Sequence, residues 1–314
     1  CLSRGLGDVY KRQVMALLYR TSPPPPRVRS PAARSSRAAS PHDCLRGCPQ
    51  LYLPPVAPSR GGYIGCYLRV DLGSGAFERF NVSEETHRAV IGGSGLGARL
   101  FLEKAQPEVD PFSPENPLMI LAGPLAGTAF PGSSRFAVCA KSPLTGIWGE
   151  ASVGGNFGPA LKKAGYDGIV FRDASDHPVC LHIDDGRAEL RDAAGLWGRD
   201  TYETTRLLKR ELGDGFKIFC IGQAGENCVR YAAAVNDGAH FAGRTGMGAV
   251  MGSKLLKAVV IRGTGEVPIA DPAALAQARA AVLEACREST LMRSFRELGT
   301  SAGIDLGMMT GDVP

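Results

Sequence analysis

The alternation of apolar and polar positions changes character along the chain. Residues 1–60 show no lasting period of 2 or 3.6, and they hold ten of the 22 prolines, including Pro23 to Pro26, among scattered Arg and Ser. Such a stretch cannot bury enough apolar surface to offset its ordering entropy. It reads as a leader that is disordered or is not native coding sequence. "MALLYR" from Met15 is too short for a signal-peptide core.

Periodic order begins near Gly62. "YIGCYLRVDLGSGAFERFNV" is two β-type runs around Gly73-Ser74-Gly75 and predicts a hairpin. "SEETHRAVI" predicts a short helix capped by Ser83, with Glu84 and Glu85 where carboxylates suit the helix dipole. Thr86 stands where a capping box needs Glu or Gln. "GLGARLFLEKA" is helical, and Pro107, Pro111, Pro114 and Pro117 then mark a loop. "LMILAG" and "RFAVCA" predict buried strands, and "NFGPALKKAGYDG" a helix closed by glycine. "GIVFR", "VCLHIDDG" and "RAELRDA" follow as strands, then "DTYETTRLLKRELGDG" as an amphipathic helix capped by Asp200 or Thr201. "FKIFCIG" and "LKAVVIRG" are further strands.

After Gly263-Thr264-Gly265, Asp271-Pro272 opens a long helix, with proline at the first position, where its missing N–H costs nothing. The expected division is a leader over 1–60, a domain over 61–264 and the truncated start of a helical second domain over 265–314. Short strands with helices grouped between them suggest α+β rather than regular βαβ alternation.

Charge changes the picture in one respect. The leader carries ten Lys/Arg against Asp8 and Asp43, whereas the remaining 254 residues hold 26 basic and 29 acidic side chains. The folded part is slightly acidic, which argues against nucleic acid as a partner. No run of eighteen apolar residues spans a membrane. Nine cysteines form no C-x-x-C pair, and those inside apolar strands read as buried thiols in a reducing compartment. Cys44-x-x-x-Cys48 lies in the leader, and its spacing alone is weak evidence for a metal.

Two familiar motifs fail. "IGGSGLGA" matches the dinucleotide fingerprint formally, but a polar helix precedes it and no strand ending in an acid follows, so it reads as a glycine turn starting a helix close to a sheet. "GAVMGSK" is one residue short of a P-loop, and Ser253 precedes Lys254, which reads as a solvated residue. The five histidines show no metal spacing, and His182 reads as an ordinary strand residue.

Three glycine-rich loops remain: "GPLAGTAFPGSSRFAV" with Arg135, "KSPLTGIWGEASVGGNFGPALKKAGYDG" with Gly154 and Gly155, and "HFAGRTGMGAVMGSK" with Gly243 and Arg244. Glycine lets backbone N–H groups approach an anion, and arginine supplies a permanently charged fork. Gly154 and Gly155 also lead into a helix N-terminus. Three such loops suggest a bulky polyanionic cofactor, against the plain alternative of tight turns with surface arginines.

In order, "SPENPLMILAGPLAGT", "SSRFAVCAKSPLTG", "VGGNFGPALKKAGYDGIVF", "DTYETTRLLKRELG" and "IGQAGENCVRYAAAVNDGAHFAGRTGMGAVMGSKLLKAVVIRG" resemble the N-terminal domain of the aldehyde ferredoxin oxidoreductase family. These are tungsten enzymes with a bis-pterin cofactor. The resemblance runs from about Gly62 to Gly263 and continues more weakly to "LGTSAGIDLGMMTGDVP".

The resemblance implies an α+β fold in which two β-sheets, with a few helices, form a base for two molybdopterins gripping one tungsten or molybdenum, with Mg2+ bridging their phosphates. Motif by motif, it places cofactor contacts on Arg135, Ser152, Gly154, His240, Phe241, Gly243 and Arg244, with backbone carbonyls of Ser152 and Phe241 on the magnesium side. Better-known members carry Asn in place of Ser152 and Arg-Ala in place of His240-Phe241. His240 replaces the lost arginine only when protonated, which puts the substrate in doubt more than the cofactor.

The implied reaction oxidises an aldehyde to a carboxylic acid and passes electrons through a [4Fe–4S] cluster to ferredoxin or a related protein, in the cytoplasm of an anaerobe. A homodimer is compatible with it. The cluster cysteines and the catalytic residues are expected beyond Pro314, so residues 1–314 alone are expected to be inactive and cluster-free. Three alternatives stand beside this reading: a family reductase or oxidoreductase of a non-aldehyde substrate, a non-catalytic pterin-binding module, and a nucleotide enzyme built on "GGSGLGA".

Overall fold

The computed structural model describes residues 51–52, 61–104 and 108–312, all within one unit of the chain, 40–314. Of the leader expected over 1–60, Leu51–Tyr52 is described and is a strand paired with Arg187 and Ala188, while the rest of it, with the Cys44–Cys48 spacing, lies outside the described residues. In chain order the elements are β1 (Leu51–Tyr52), β2 (Tyr67–Asp71), β3 (Phe77–Phe80), α1 (Glu84–Val90), α2 (Gly93–Lys104), β4 (Leu118–Ala122), β5 (Phe136–Lys141), β6 (Trp148–Val153) and α3 (Phe157–Lys163). Next come β7 (Gly168–Arg172), β8 (Val179–Asp184), β9 (Arg187–Asp192), α4 (Thr201–Leu212), β10 (Lys217–Cys220), α5 (Gln223–Glu226), β11 (Ala234–Asn236), β12 (His240–Ala242), α6 (Met247–Ser253) and β13 (Leu256–Arg262). Helices α7 (Pro272–Glu288), α8 (Thr290–Leu298) and α9 (Ile304–Thr310) close the described part, and among the described residues no helix is long and apolar enough to cross a membrane.

The fold is α+β, with one sheet in the order β1-β9-β8-β13-β10-β11-β12 and a second in the order β3-β2-β7-β4-β5-β6. Each is antiparallel except for one parallel pair, β8 with β13 and β2 with β7. The short helices α3 and α6 sit between the sheets, each touching strands of both. The core there holds alternate residues of the facing strands together with Phe157, Leu161, Met247, Val250 and Met251. Phe136, Phe157 and Phe219 meet at its centre, with ring centroids 4.9 to 5.7 Å apart. On the outer faces, α2 covers one sheet through Leu96, Leu100 and Phe101, and α4 covers the other through Leu208 and Leu212.

The predicted strands and hairpin form, and so do the caps. Ser83 accepts from Thr86 N, and Asp200 rather than Thr201 caps α4 by accepting from Glu203 N. Two stretches read as loops are regular instead. In "WGEASV", buried Gly149, Ala151 and Val153 alternate with exposed Glu150 and Ser152, so a small-residue strand stands where glycine suggested a loop. "MGAVMGS" is the buried helix α6, and its glycines serve packing: a Cβ on Gly252 would fall 1.9 Å from Gly225 O. Of the "GGSGLGA" glycines, Gly92 lies just before α2, and Gly93, Gly95 and Gly97 lie inside it rather than in a turn before it. A Cβ on Gly97 would meet Cys139 Sγ at 3.1 Å, so close approach to the sheet is their purpose.

Lys254 is the clearest correction. It is fully buried rather than solvated, and its Nζ donates to the carbonyls of Pro114 and Asp173, each at 3.0 Å. Burial pushes this ammonium down to about 8 from 10.5, against smaller pulls from Asp173 and Glu115. Between those two pH values the unfolded chain binds the proton and the folded chain does not, so stability rises with pH. The gain through this residue is expected to reach about 3 kcal/mol at most. Urea unfolding near pH 8 and near pH 10.5 should show it in the native chain and not in Lys254→Met. Equal pH dependence in the two would contradict it. His182, also buried, sits at the acid end. Burial first and then the Arg191 cation push it down to about 4 from 6.5, so the stability it contributes is lost as pH falls through that interval.

Candidate functional site

Strands β6 and β12 are each the last strand of their sheet, and they touch. The sequence-predicted residues collect at that junction. Pairing of β5 with β6 sets Phe136 opposite Val153 and Ala137 opposite Ser152. Arg135 therefore leaves the start of β5 beside the outward face of Ser152, next to a phenylalanine fixed in the core. Its Nε donates to Ser152 Oγ and its Nη2 to Ser152 O, both at 2.8 Å. Glu150 shares that outward face of β6.

Gly154 and Gly155 then turn the chain into α3, whose first residue, Phe157, is anchored in the aromatic cluster. Gly155 has φ +85°, and a Cβ there would fall 2.4 Å from Asn236 Nδ2, so only glycine fits. Gly154 is different. A Cβ on it would lie 3.3 Å from His240 Nδ1 and 3.8 Å from Arg135 Nη1, so a side chain there would press on the His240 ring.

The other wall is the β11–β12 hairpin. Asn236 pairs with His240 across a turn of Asp237, Gly238 and Ala239, with positive φ at Asp237 (47°) and Gly238 (74°). Asn236 is fully buried, and its Nδ2 donates to Gly154 O at 2.8 Å while its Oδ1 has no partner among the described residues. After β12 the chain turns through Gly243, Arg244, Thr245 and Gly246. Thr245 Oγ1 donates to Glu150 O at 3.2 Å, and Ser142 Oγ donates to Thr245 O at 2.8 Å, which ties the two sheet edges together.

Arg135, Ser152, Gly154 and His240 are thus brought together, Arg135 bonded to Ser152 and both Arg135 and His240 reaching Gly154. Phe241 lies in β12 beside them and is 54% exposed, and Gly243 follows at the turn after the strand. Arg244 is exposed, and its guanidinium has no hydrogen-bond or ion-pair partner among the described residues. Reading by residue type missed Asn236, Ser142 and Thr245. The "NDGA" turn signal was available for the hairpin, but nothing local marks a serine 103 residues from its acceptor.

A family model described as the N-terminal domain of aldehyde ferredoxin oxidoreductase matches residues 67–263. The chain belongs to the aldehyde ferredoxin oxidoreductase family. Among curated members, it is 48% identical over 211 residues to a tungsten-containing aldehyde ferredoxin oxidoreductase of Pyrococcus horikoshii, covering 67% of this chain and 35% of that protein. It is 36% identical over 259 residues to the WOR-like subunit of an aliphatic sulfonate oxidoreductase of Pyrococcus furiosus, covering 77% and 40% respectively. Among solved structures, a chain of the BamBC active site complex of benzoyl coenzyme A reductase with 1,5-dienoyl-CoA superposes with a TM-score of 0.71 at 40% identity. That match covers 73% of this chain and 35% of the other. The chain therefore spans about a third of the length of the aldehyde ferredoxin oxidoreductase members it matches.

Proposed function

We propose that the β6–β12 junction is this chain's share of a bis-pterin tungsten site. The full-length protein then oxidises an aldehyde to a carboxylic acid and passes electrons through a [4Fe–4S] cluster to ferredoxin. Residues 265–314 open its second domain, which carries none of the contacts above. The observation that carries the reading is the meeting of Arg135, Ser152, Gly154 and His240 where two sheet edges touch.

The residues fit a polyanionic pterin cofactor. Two exposed arginines carry permanent charge suited to phosphate, and the buried Asn236 Oδ1 is an unpaired acceptor suited to a ring N–H. Arg135 and Arg244 would bind phosphate groups, and the Gly243 backbone lies open beside them. When bound, the tungsten group supplies the two-electron redox chemistry, and the protein orients it and excludes water. A magnesium ion on the Ser152 carbonyl would share that oxygen with the Arg135 guanidinium, each taking one of its two lone pairs.

A second reading keeps the cofactor and changes the substrate. It is favoured by the match over 77% of this chain to a subunit of an aliphatic sulfonate oxidoreductase. Purified full-length protein is expected to contain pterin and tungsten and to reduce a viologen dye with an aldehyde as donor. Dye reduction with an alkanesulfonate but not with aldehydes would select the second reading, and a pterin-free, metal-free protein would overturn both.

A further inference from the structure

We propose that the outer face of the second sheet, toward its β3 edge, holds a binding site for a small carboxylate with a short apolar end. Two adjoining cavities form it, and Arg69, Phe80 and Leu100 line both. β3 is the far edge of that sheet from β6.

The wider cavity, about 320 Å³, lies among β2, β3, the start of α1 and the end of α2, where Ser83, Thr86, Arg99 and Glu103 complete it. That volume suits a small ligand. The narrow one, about 20 Å³, is closed by Pro117, Met119, Val170 and Arg172. It has room for about one methyl-sized group. The strand register puts these residues together. Arg69 and Met119 each stand opposite Val170, so the three share one face, and Arg172 follows two residues later on it. Helix α2 covers this face only as far as Leu100.

Charge names the occupant. The two linings carry three guanidiniums, Arg69, Arg99 and Arg172, against one carboxylate, Glu103. Acids nearby are each engaged: Glu78 with Arg69 Nη1, Glu103 with Arg99, Glu115 with Ser113, Asp71 with Ser74 and Asp173 with Ala174 N. Arg172 is half-buried, and its guanidinium has no hydrogen-bond or ion-pair partner among the described residues. Arg69 is held with its guanidinium carbon 4.8 Å from the centre of the Phe80 ring, and its buried Nε has no partner. It is a fixed cation with unused donors. Ser83 Oγ and Thr86 Oγ1 lie 2.9 Å apart, and whichever donates to the other, one O–H remains for a ligand. An anionic head therefore belongs in the wide cavity. A carboxylate matches a guanidinium with two parallel bonds, and the apolar slot beside Arg69 takes the end that an inorganic anion lacks.

The test uses the 314-residue chain with 13C-methyl methionine. The Met119 methyl, buried at the slot, is assigned by its loss in Met119→Leu. Sodium butyrate is expected to shift this signal saturably, while n-butylamine and inorganic phosphate leave it in place. Arg69→Met should weaken butyrate binding about tenfold or more. Arg69→Lys, which keeps the charge and loses the fork, should fall between. Arg99→Gln, at an exposed position, should weaken it about two- to fivefold. Circular dichroism checks that each variant is folded, and if Arg69→Met is not, Arg99→Gln decides. A Met119 signal that ignores butyrate, one that moves equally with butylamine or phosphate, or native-strength binding in the folded arginine variants would overturn the proposal.

Discussion

Arg244→Ala is expected to lower the tungsten and pterin carried by each full-length chain by about ten- to a hundredfold, the effect of losing one charge-assisted hydrogen bond to phosphate. The side chain is exposed at a glycine-rich turn, has no protein partner among the described residues, and follows the strand that carries His240 and Phe241. A purely structural role predicts no effect on cofactor, because nothing described leans on the guanidinium. Arg244→Lys keeps the charge and loses the fork, so it should fall between the two. Metal analysis and pterin fluorescence on the purified variants measure this directly, and native occupancy in Arg244→Ala would remove the residue from the site.

Asp167→Ala is expected to destabilise the domain by about 3–5 kcal/mol, the usual cost of stranding one member of a buried ion pair. Asp167 and Lys162 form that pair, with side chains 1% and 0% exposed. The same carboxylate accepts from Ile64 N at 3.1 Å and Gly65 N at 2.7 Å, while Lys162 Nζ also donates to Gly62 O at 2.7 Å. The pair therefore staples the segment before β2 to the end of α3, the helix that follows Gly154 and Gly155. Burial already pulls the Lys162 ammonium below its ordinary range, and Asp167 is what holds it charged. Without the carboxylate, Ile64 N and Gly65 N lose their acceptor, and Lys162 Nζ keeps only the Gly62 carbonyl and no counter-charge. Chemical denaturation of the native and variant chains measures the difference, and a loss below about 1 kcal/mol would mean that the pair is dispensable.

Much of the fold was legible from pattern alone, because long apolar strands such as β4, β7 and β13 announce themselves by composition, and Ser83 and Asp200 by their capping chemistry. What escaped was structure built from small residues. The strand "WGEASV" and the helix "MGAVMGS" bury glycine and alanine against neighbouring backbone, and local propensity assigns glycine to loops. The same ambiguity touched the site. Gly248 and Gly252 look like phosphate-loop glycines in sequence but pack against Ala233 and Gly225, while Gly243 is exposed and Gly154 lies against the His240 ring. Lys254, Lys162 and Lys257 were unreadable as buried residues, since each is held by carbonyls or carboxylates from distant parts of the chain. The candidate contacts came from the family resemblance. Their convergence, and the grip of Ser152 on Arg135, needed the two sheets to be assembled.

The central claim is that the cofactor lies across the ends of β6 and β12. A crystal structure of the full-length protein, with anomalous data collected at a tungsten absorption edge, tests it most directly. The expected result is pterin density over that junction, with a phosphate against Arg135, Gly154 and Arg244 and the metal peak in the same continuous density. Pterin and tungsten bound elsewhere, with the junction covered only by protein or solvent, would contradict the account.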